Sequence, residues 1–73
     1  MDKNRPQAKA EYQITVKGLL PYRWSERFED MEIIHQPDGT TILSGNVPDQ
    51  AALYGLLIKL RDLGLTLLAI QKT

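Results

Sequence analysis

The segment "MEIIHQPDGTTILSG", residues 31–45, constrains the fold more than any other part of the chain. Pro37 and Asp38 suit the two central positions of a type I turn. Gly39 suits the left-handed residue that completes a three-residue hairpin loop. A loop of defined length fixes the register of the strands on either side of it. The segment therefore predicts a β-hairpin whose cross-strand pairs can be counted outward from the turn.

Counting outward from the turn places apolar residues on both faces of this hairpin. One face carries Met31, Ile33, His35, Thr41 and Leu43. The other face carries Glu32, Ile34, Gln36, Thr40, Ile42 and Ser44. An antiparallel sheet usually presents polar residues on the face that meets solvent. The predicted pairing of Ile34 with Ile42 breaks that rule, because one of the two faces must be the solvent face.

Two further segments before the hairpin have regular patterns. Residues 11–18, "EYQITVKG", alternate between apolar and polar and predict a half-buried strand. Residues 21–31, "PYRWSERFEDM", predict a short amphipathic helix that has Pro21 in its first turn. Its apolar stripe consists of Leu20, Trp24, Phe28 and Met31. We interpret Trp24 as a core residue, because the spacing of this stripe already explains it.

The leucine-rich stretch after the hairpin, residues 47–70, predicts a second helix and a final strand. Asp49 suits the N-cap, and Gly64 suits the left-handed cap at the other end. The helical stripe consists of Leu53, Leu56, Leu60 and Leu63. Gly55 lies in the helix interior, where glycine costs about 1 kcal/mol relative to alanine. That cost predicts a close approach at Gly55, either by the first helix or by another subunit.

The order of elements, βαββαβ, determines the expected fold. A chain of 73 residues has room for one domain. We expect a disordered tail over residues 1–10 and a single α+β domain over residues 11–73. The predicted fold is a ferredoxin-like sandwich, a four-stranded antiparallel sheet of order 4-1-3-2 with both helices on one face.

In that fold the open face of the sheet carries apolar residues, and such patches usually mark an interface. Ile34 and Ile42 are the first candidates for an interface. Tyr54 and Ile58, four residues apart beside the helical stripe, are the second. The final strand, "LTLLAI", adds to the patch in either register. One register leaves Leu67 and Ala69 outside, and the other leaves Leu68 and Ile70 outside.

Composition argues against chemistry in this chain. The chain has no cysteine and a single histidine, His35, so a metal cluster has too few ligands. His35 is interpreted as a hairpin residue. Its five glycines are isolated and form no phosphate loop. We expect no catalytic residues, no metal and no cofactor, and therefore no enzyme.

Charge and hydropathy bear on partners and location. Nine basic and nine acidic residues cancel, whereas nucleic-acid binding usually shows a basic excess. No apolar run approaches the roughly 20 residues of a membrane span. The expected partner is a second copy of the chain or another protein, with neither nucleic acid nor membrane. The absence of cysteine fits a reducing cytoplasm.

A segment that resembles a known group of proteins is "DQAALYGLLIKLRDLGLTLLAI", residues 49–70. It is similar to a recurrent signature in short, uncharacterised bacterial proteins, at residues 49–53, 55–57 and 61–63. The segments "DGTTILSG" and "RWSERFEDM" also look similar, so the resemblance covers most of residues 12–70. Pro48 departs from the aliphatic residue expected there. The resemblance implies a bacterial cytoplasmic origin and brings no activity with it.

Two functions from different classes follow. The first is a small non-catalytic interaction module that self-associates through its open sheet face or an edge strand. The second is a small-molecule-sensing regulatory module that resembles ACT domains. Such modules hold amino acids near the loop after the first strand. The corresponding residues here are Gly18, Leu19 and Leu20, in the segment "KGLLPYRW".

Overall fold

The structure, a computed structural model, describes residues 10–72. Its strands are β1 (Ala10–Lys17), β2 (Glu32–His35), β3 (Thr40–Val47) and β4 (Leu67–Lys72). A 3₁₀ helix (Tyr22–Phe28) follows β1, and the α-helix α1 (Gln50–Asp62) follows β3. The predicted tail, residues 1–10, lies outside the described residues except for Ala10, which begins β1.

The four strands form one antiparallel sheet in the order β2-β3-β1-β4. Read from the opposite edge, the same neighbours give the order 4-1-3-2. Strands β1 and β3 are central, and β2 and β4 are the two edges. The chain is therefore a small α+β domain with one four-stranded antiparallel sheet and two helices.

The hairpin of β2 and β3 has the predicted register. Ile34 lies opposite Ile42, and His35 lies opposite Thr41. Gly39 has a φ of +87°, in the left-handed region that favours glycine. Its N–H donates to the Gln36 carbonyl at 3.1 Å, which closes the turn. The turn residues thus fix which side chains share a face, as the sequence predicts.

The hydrophobic core lies on one face of the sheet, and both helices contribute to it. Its buried apolar residues are Ile14, Val16, Leu20, Phe28, Met31, Ile33, Leu43, Val47, Leu53, Leu56 and Leu60. Trp24 is half-buried and packs against this core, as expected from its stripe. The sheet residues in the core come from β1, β2 and β3, and none comes from β4.

The first helix differs from the expectation in type and extent. It is a seven-residue 3₁₀ helix, preceded by Pro21 as an extended N-cap rather than opened by it. It ends in two consecutive left-handed residues, Glu29 (φ 58°) and Asp30 (φ 59°), whose N–H groups both donate to the Ser25 carbonyl. Left-handed backbone at non-glycine residues costs about 1 kcal/mol or more each. The compact ending returns the chain to β2 after a very short helix.

Helix α1 has the predicted caps. The Asp49 carboxylate accepts a hydrogen bond from the Ala52 N–H at 2.8 Å. Gly64 has a φ of +76°, and the N–H of Leu65 donates to the Leu60 carbonyl at 3.0 Å, as in a Schellman ending. Leu63 was expected in the buried stripe, and that expectation is wrong. Leu63 is the C-cap residue and is 39% exposed, because the helix ends before its side chain turns inward.

The expected close approach of the first helix to Gly55 is also wrong. A Cβ built at Gly55 would meet nothing within 4 Å. The first helix lies beside β2. The close approach is at Gly45 of β3, where an added Cβ would lie 3.2 Å from Met31 Cγ.

Strand β4 is the main departure from the predicted sandwich. One of its two faces was expected to be buried, yet all six residues are exposed. Helix α1 lies over β3 and the 3₁₀ helix lies beside β2, so no described helix covers β4.

Candidate interaction surface at the β4 edge

Within residues 10–72, no strand pairs with the outer side of β4, so its backbone polar groups there have no strand partner. The Lys17 N–H of β1 donates to the Thr66 carbonyl at 3.0 Å, and the next N–H, that of Gly18, donates to Gly39 on the β3 side. Backbone groups alternate in this way along an antiparallel strand. Through the register with β1, Ala69 and Gln71 face β1. Ile70 and Lys72 therefore turn their N–H and C=O groups outward.

On the side of the sheet that faces the helices, the apolar side chains of β4 continue the row of core residues but are exposed to solvent. Ile70 lies directly opposite Ile14, and Leu67 lies opposite Val16. The two β1 residues are fully buried, whereas Ile70 is 38% exposed and Leu67 is 43% exposed. The helix side of β4 is therefore apolar and open to solvent. Leu68, at the irregularity in the register, is 51% exposed.

Strand β4 has few of the features that keep an edge strand from pairing with another strand. Natural edge strands are usually kept from pairing by proline, charges, bulges or short length. Strand β4 contains no proline, and its one charged residue is Lys72, at its end. Its bulge lies at the start of the strand, opposite the step from Thr15 to Val16. The segment from Ala69 onward keeps a regular register and is open to pairing.

A row of three apolar residues and one threonine, called the apolar row below, crosses the open face of the sheet and reaches this edge. The row runs across all four strands through Ile34, Ile42, Thr15 and Ala69, each directly opposite the next. Ile34 is 37% exposed and Ile42 is half-buried. The row on one side of it is polar and consists of Glu32, Ser44, Gln13 and Gln71. The apolar band is thus one residue wide.

The second predicted pair, Tyr54 and Ile58, lies on α1, in the other layer of the domain. Tyr54 is 54% exposed and Ile58 is 48% exposed. Lys59, on the flank of α1 nearest the 3₁₀ helix, donates to the Arg27 carbonyl at 2.9 Å and contacts Glu29 at 3.3 Å. The structure does not bring Tyr54 and Ile58 together with Ile34 and Ile42.

The predicted ligand loop, Gly18 to Leu20, is tied to the sheet by its own backbone. The fully buried Thr41 hydroxyl donates to the Gly18 carbonyl at 2.6 Å and accepts from the Leu20 N–H at 3.1 Å. The Gly18 N–H is bonded to Gly39. The Leu20 side chain is buried, and Leu19 is exposed. These backbone groups are therefore engaged within the chain rather than directed at a ligand.

His35 also ties this loop to the sheet. The loop from Gly18 to Leu20, with Thr41 and His35, is called the closed corner below. The Nε2 of His35 donates to the Leu20 carbonyl, since a carbonyl can only accept, so Nε2 carries a proton. Its ring stacks on Tyr22, with centroids 4.3 Å apart and planes at 25°. Sequence reasoning placed His35 on the hairpin but missed this role as a tie between β2 and the loop. No sequence signal pointed to it, because the contact joins residues fifteen positions apart.

The hairpin turn contains an exposed carboxylate, that of Asp38. The Thr40 hydroxyl, and after it the Thr40 N–H, hold the pKa of the Asp38 carboxyl below its ordinary value of 3.8.

A surface pocket of about 320 Å³ is lined by Arg27, Lys59, Asp62 and Leu63. Within residues 10–72 no three or more histidine, cysteine or acidic side chains converge as a metal site would require.

A model of a domain of unknown function, DUF8691, matches residues 11–71. The chain belongs to the DUF8691 family. No curated protein and no solved structure matches it. The family therefore agrees with a resemblance to uncharacterised proteins, and the match covers the whole sheet except its first residue, Ala10, and its last, Lys72. None of the described helices has the length and apolar character that crossing a membrane requires.

Proposed function

We propose that this DUF8691 domain is a small non-catalytic protein-interaction module that self-associates through the edge strand β4. The observation that carries the proposal is the exposure of all six β4 residues, four of them apolar, beside the fully buried Ile14 and Val16 of β1. A strand with outward backbone groups and apolar side chains adds readily to another strand. We also propose a ferredoxin-like topology with a shortened first helix, in a bacterial cytoplasmic protein.

The β4 edge is favoured over the two other candidate surfaces on physical grounds. The Ile34–Ile42 row is one residue wide and bordered on one side by polar side chains, so it offers little area by itself. Tyr54 and Ile58 offer side chains but no free backbone groups, because the N–H and C=O groups of a helix interior are bonded within the helix. At β4 both kinds of contact are available together.

The small-molecule-sensing alternative places the ligand at Gly18, Leu19 and Leu20. A ligand there would have to displace the bonds that Thr41 makes with this loop. No contact among the described residues favours that reading over the interaction module. The two proposals differ in what raises the melting temperature, since a sensor responds to its ligand and a self-associating module responds to its own concentration.

Sedimentation equilibrium with three matched lysine variants tests the proposal. Each variant places a charge at an exposed apolar residue on one surface: Leu68→Lys at the β4 edge, Ile34→Lys on the open face and Ile58→Lys on α1. We expect the wild type to dimerise reversibly and only Leu68→Lys to weaken the dimer. Losing one buried leucine weakens association by about tenfold to a hundredfold.

The other outcomes are equally informative. A wild type that stays monomeric over the whole concentration range contradicts self-association. A dimer that is weakened by Ile34→Lys and not by Leu68→Lys places the interface on the open face. Far-ultraviolet circular dichroism of each variant shows that the chain remains folded.

A further inference from the structure

We infer that the partner of β4 is the β4 strand of a second copy, paired antiparallel about a two-fold axis that passes beside Ala69. This inference rests on the proposed function and adds the partner, the direction and the register. The result is a continuous eight-stranded sheet with the helices of both copies on the same side.

The direction of the backbone groups limits the possible registers. Ile70 and Lys72 turn their polar groups outward, whereas Ala69 and Gln71 turn theirs toward β1. Only residues with outward groups can form hydrogen-bonded pairs with the second copy. The two-fold axis can therefore lie at Ala69, Ile70 or Gln71, but not between residues.

Side-chain chemistry favours the Ala69 register among these three. It places Leu68 opposite the partner's Ile70, so apolar side chains meet. Lys72 then lies opposite the partner's Thr66, away from the partner's own lysine. The Thr66 carbonyl already accepts from Lys17 of β1, so the hydrogen bonds between copies in this register are those between Ile70 and the partner's Leu68. The Ile70 register instead places Leu68 opposite the partner's Lys72. The Gln71 register places Ile70 opposite that lysine.

The open face gives an independent reason for the same register. The apolar row that ends at Ala69 continues into the partner's Ala69 and across the partner's sheet. The other two registers interrupt the row, because they place Gln71 beside Ala69 or on the axis. Ala69 also suits the axis sterically, since side chains lie closest together in a pair that is not hydrogen-bonded.

The second copy explains why β4 can remain without a helix over it. Leu67 and Ile70 of each copy form an apolar strip on the helix side of the sheet. Pairing the two β4 strands places these strips side by side, so each shields the other. The short β2 edge cannot serve the same purpose as well, because it has four residues and its Glu32 would be drawn into the contact.

Single-cysteine crosslinking tests this geometry, because the chain has no cysteine of its own. In the Ala69 register the two Ala69 Cα atoms lie about 4.5 Å apart, within the range that a disulfide spans. The two Gln71 residues lie about 14 Å apart, four residues along the strand. Ala69→Cys is therefore the test, and Gln71→Cys is its matched control on the same exposed face of β4.

Both variants are oxidised with copper phenanthroline at a concentration at which the wild type is dimeric. We expect most Ala69→Cys chains to become covalent dimers on a non-reducing gel and Gln71→Cys chains to remain single. Crosslinking of Gln71→Cys in preference to Ala69→Cys overturns the register. Absence of crosslinks in both, while both sediment as dimers, overturns the Ala69 register. A monomeric wild type overturns the proposed function itself.

Discussion

The two edge strands of this sheet, β2 and β4, differ in length and in how much of each strand is buried. Strand β2 has four residues, with Ile33 buried and His35 half-buried under the loop that follows β1. Strand β4 has six residues, and every one is exposed. The two edges belong to one sheet and differ because the 3₁₀ helix lies beside β2 whereas no described helix lies over β4.

The backbone polar groups also differ between the two edges, since those near β2 are bonded within the chain and the outer ones of β4 are open. At the β2 end, Thr41 and His35 satisfy the backbone of the loop at Gly18 and Leu20. At the β4 edge, the outward N–H and C=O groups of Ile70 are left for solvent or for a partner. Unpaired polar groups are tolerated in water but not in a buried site. The closed corner therefore stabilises the fold, and the open edge is available for function.

The pair Ile14 and Ile70 gives the largest test of this comparison. They are direct cross-strand neighbours, yet Ile14 is fully buried and Ile70 is 38% exposed. Ile14→Ala should lower the free energy of unfolding by about 2–5 kcal/mol, since it opens a cavity in the core. In the dilute monomer, Ile70→Ala should cost about 1 kcal/mol or less, because little apolar area leaves water there.

Urea unfolding at two protein concentrations measures both effects. For Ile70→Ala the loss should grow with concentration, because the dimer buries that side chain. For Ile14→Ala it should stay nearly the same. Equal losses for the two variants in the dilute monomer would show that β4 is covered after all, and that the two edges do not differ.

Much of the β2 half could be predicted from the sequence, because local chemistry decides it. The turn residues Pro37 to Gly39 set the hairpin register, and the Asp49 carboxylate sets the start of α1. The β4 half could not be predicted in the same way. Its exposure depends on which strands the helices contact, and these are β3 for α1 and β2 for the 3₁₀ helix. Local residue patterns do not report such contacts.

The interaction surface was foreseen in part for the same reason. The alternation of the hairpin predicted that Ile34 and Ile42 share a face. The apolar run "LTLLAI" indicated that some apolar side chains of the last strand stay outside. That run is apolar at both odd and even positions, which is the signal that neither face would be polar. Which faces are covered is a property of tertiary packing, and no periodicity reports it.

A second prediction concerns the closed corner. Thr41→Val keeps the shape of the buried side chain but removes the hydroxyl that serves both Gly18 and Leu20. A buried backbone group left without a partner costs about 1–3 kcal/mol. We expect a loss of about 2 kcal/mol in urea unfolding. Thr15→Val, on the open face of the same sheet, is the control and should change stability little. A Thr41→Val protein as stable as wild type would contradict the role of this corner.

The smallest expected effect on stability is at the hairpin turn, where Asp38 is fully exposed. Its carboxylate accepts hydrogen bonds from the Thr40 hydroxyl at 2.6 Å and from the Thr40 N–H at 3.0 Å. These bonds lower the pKa of Asp38 from 3.8, so the ionised carboxylate stabilises the folded state above that pH. The contribution is lost as the pH falls through the lowered pKa. Asp38→Asn keeps an acceptor oxygen and removes the charge, so the melting temperatures of wild type and variant should converge on acidification below pH 3.8. A constant difference in melting temperature across that range would show that the charge of Asp38 contributes nothing to the stability of the turn. The backbone geometry of the turn would then be what stabilises this end of the hairpin.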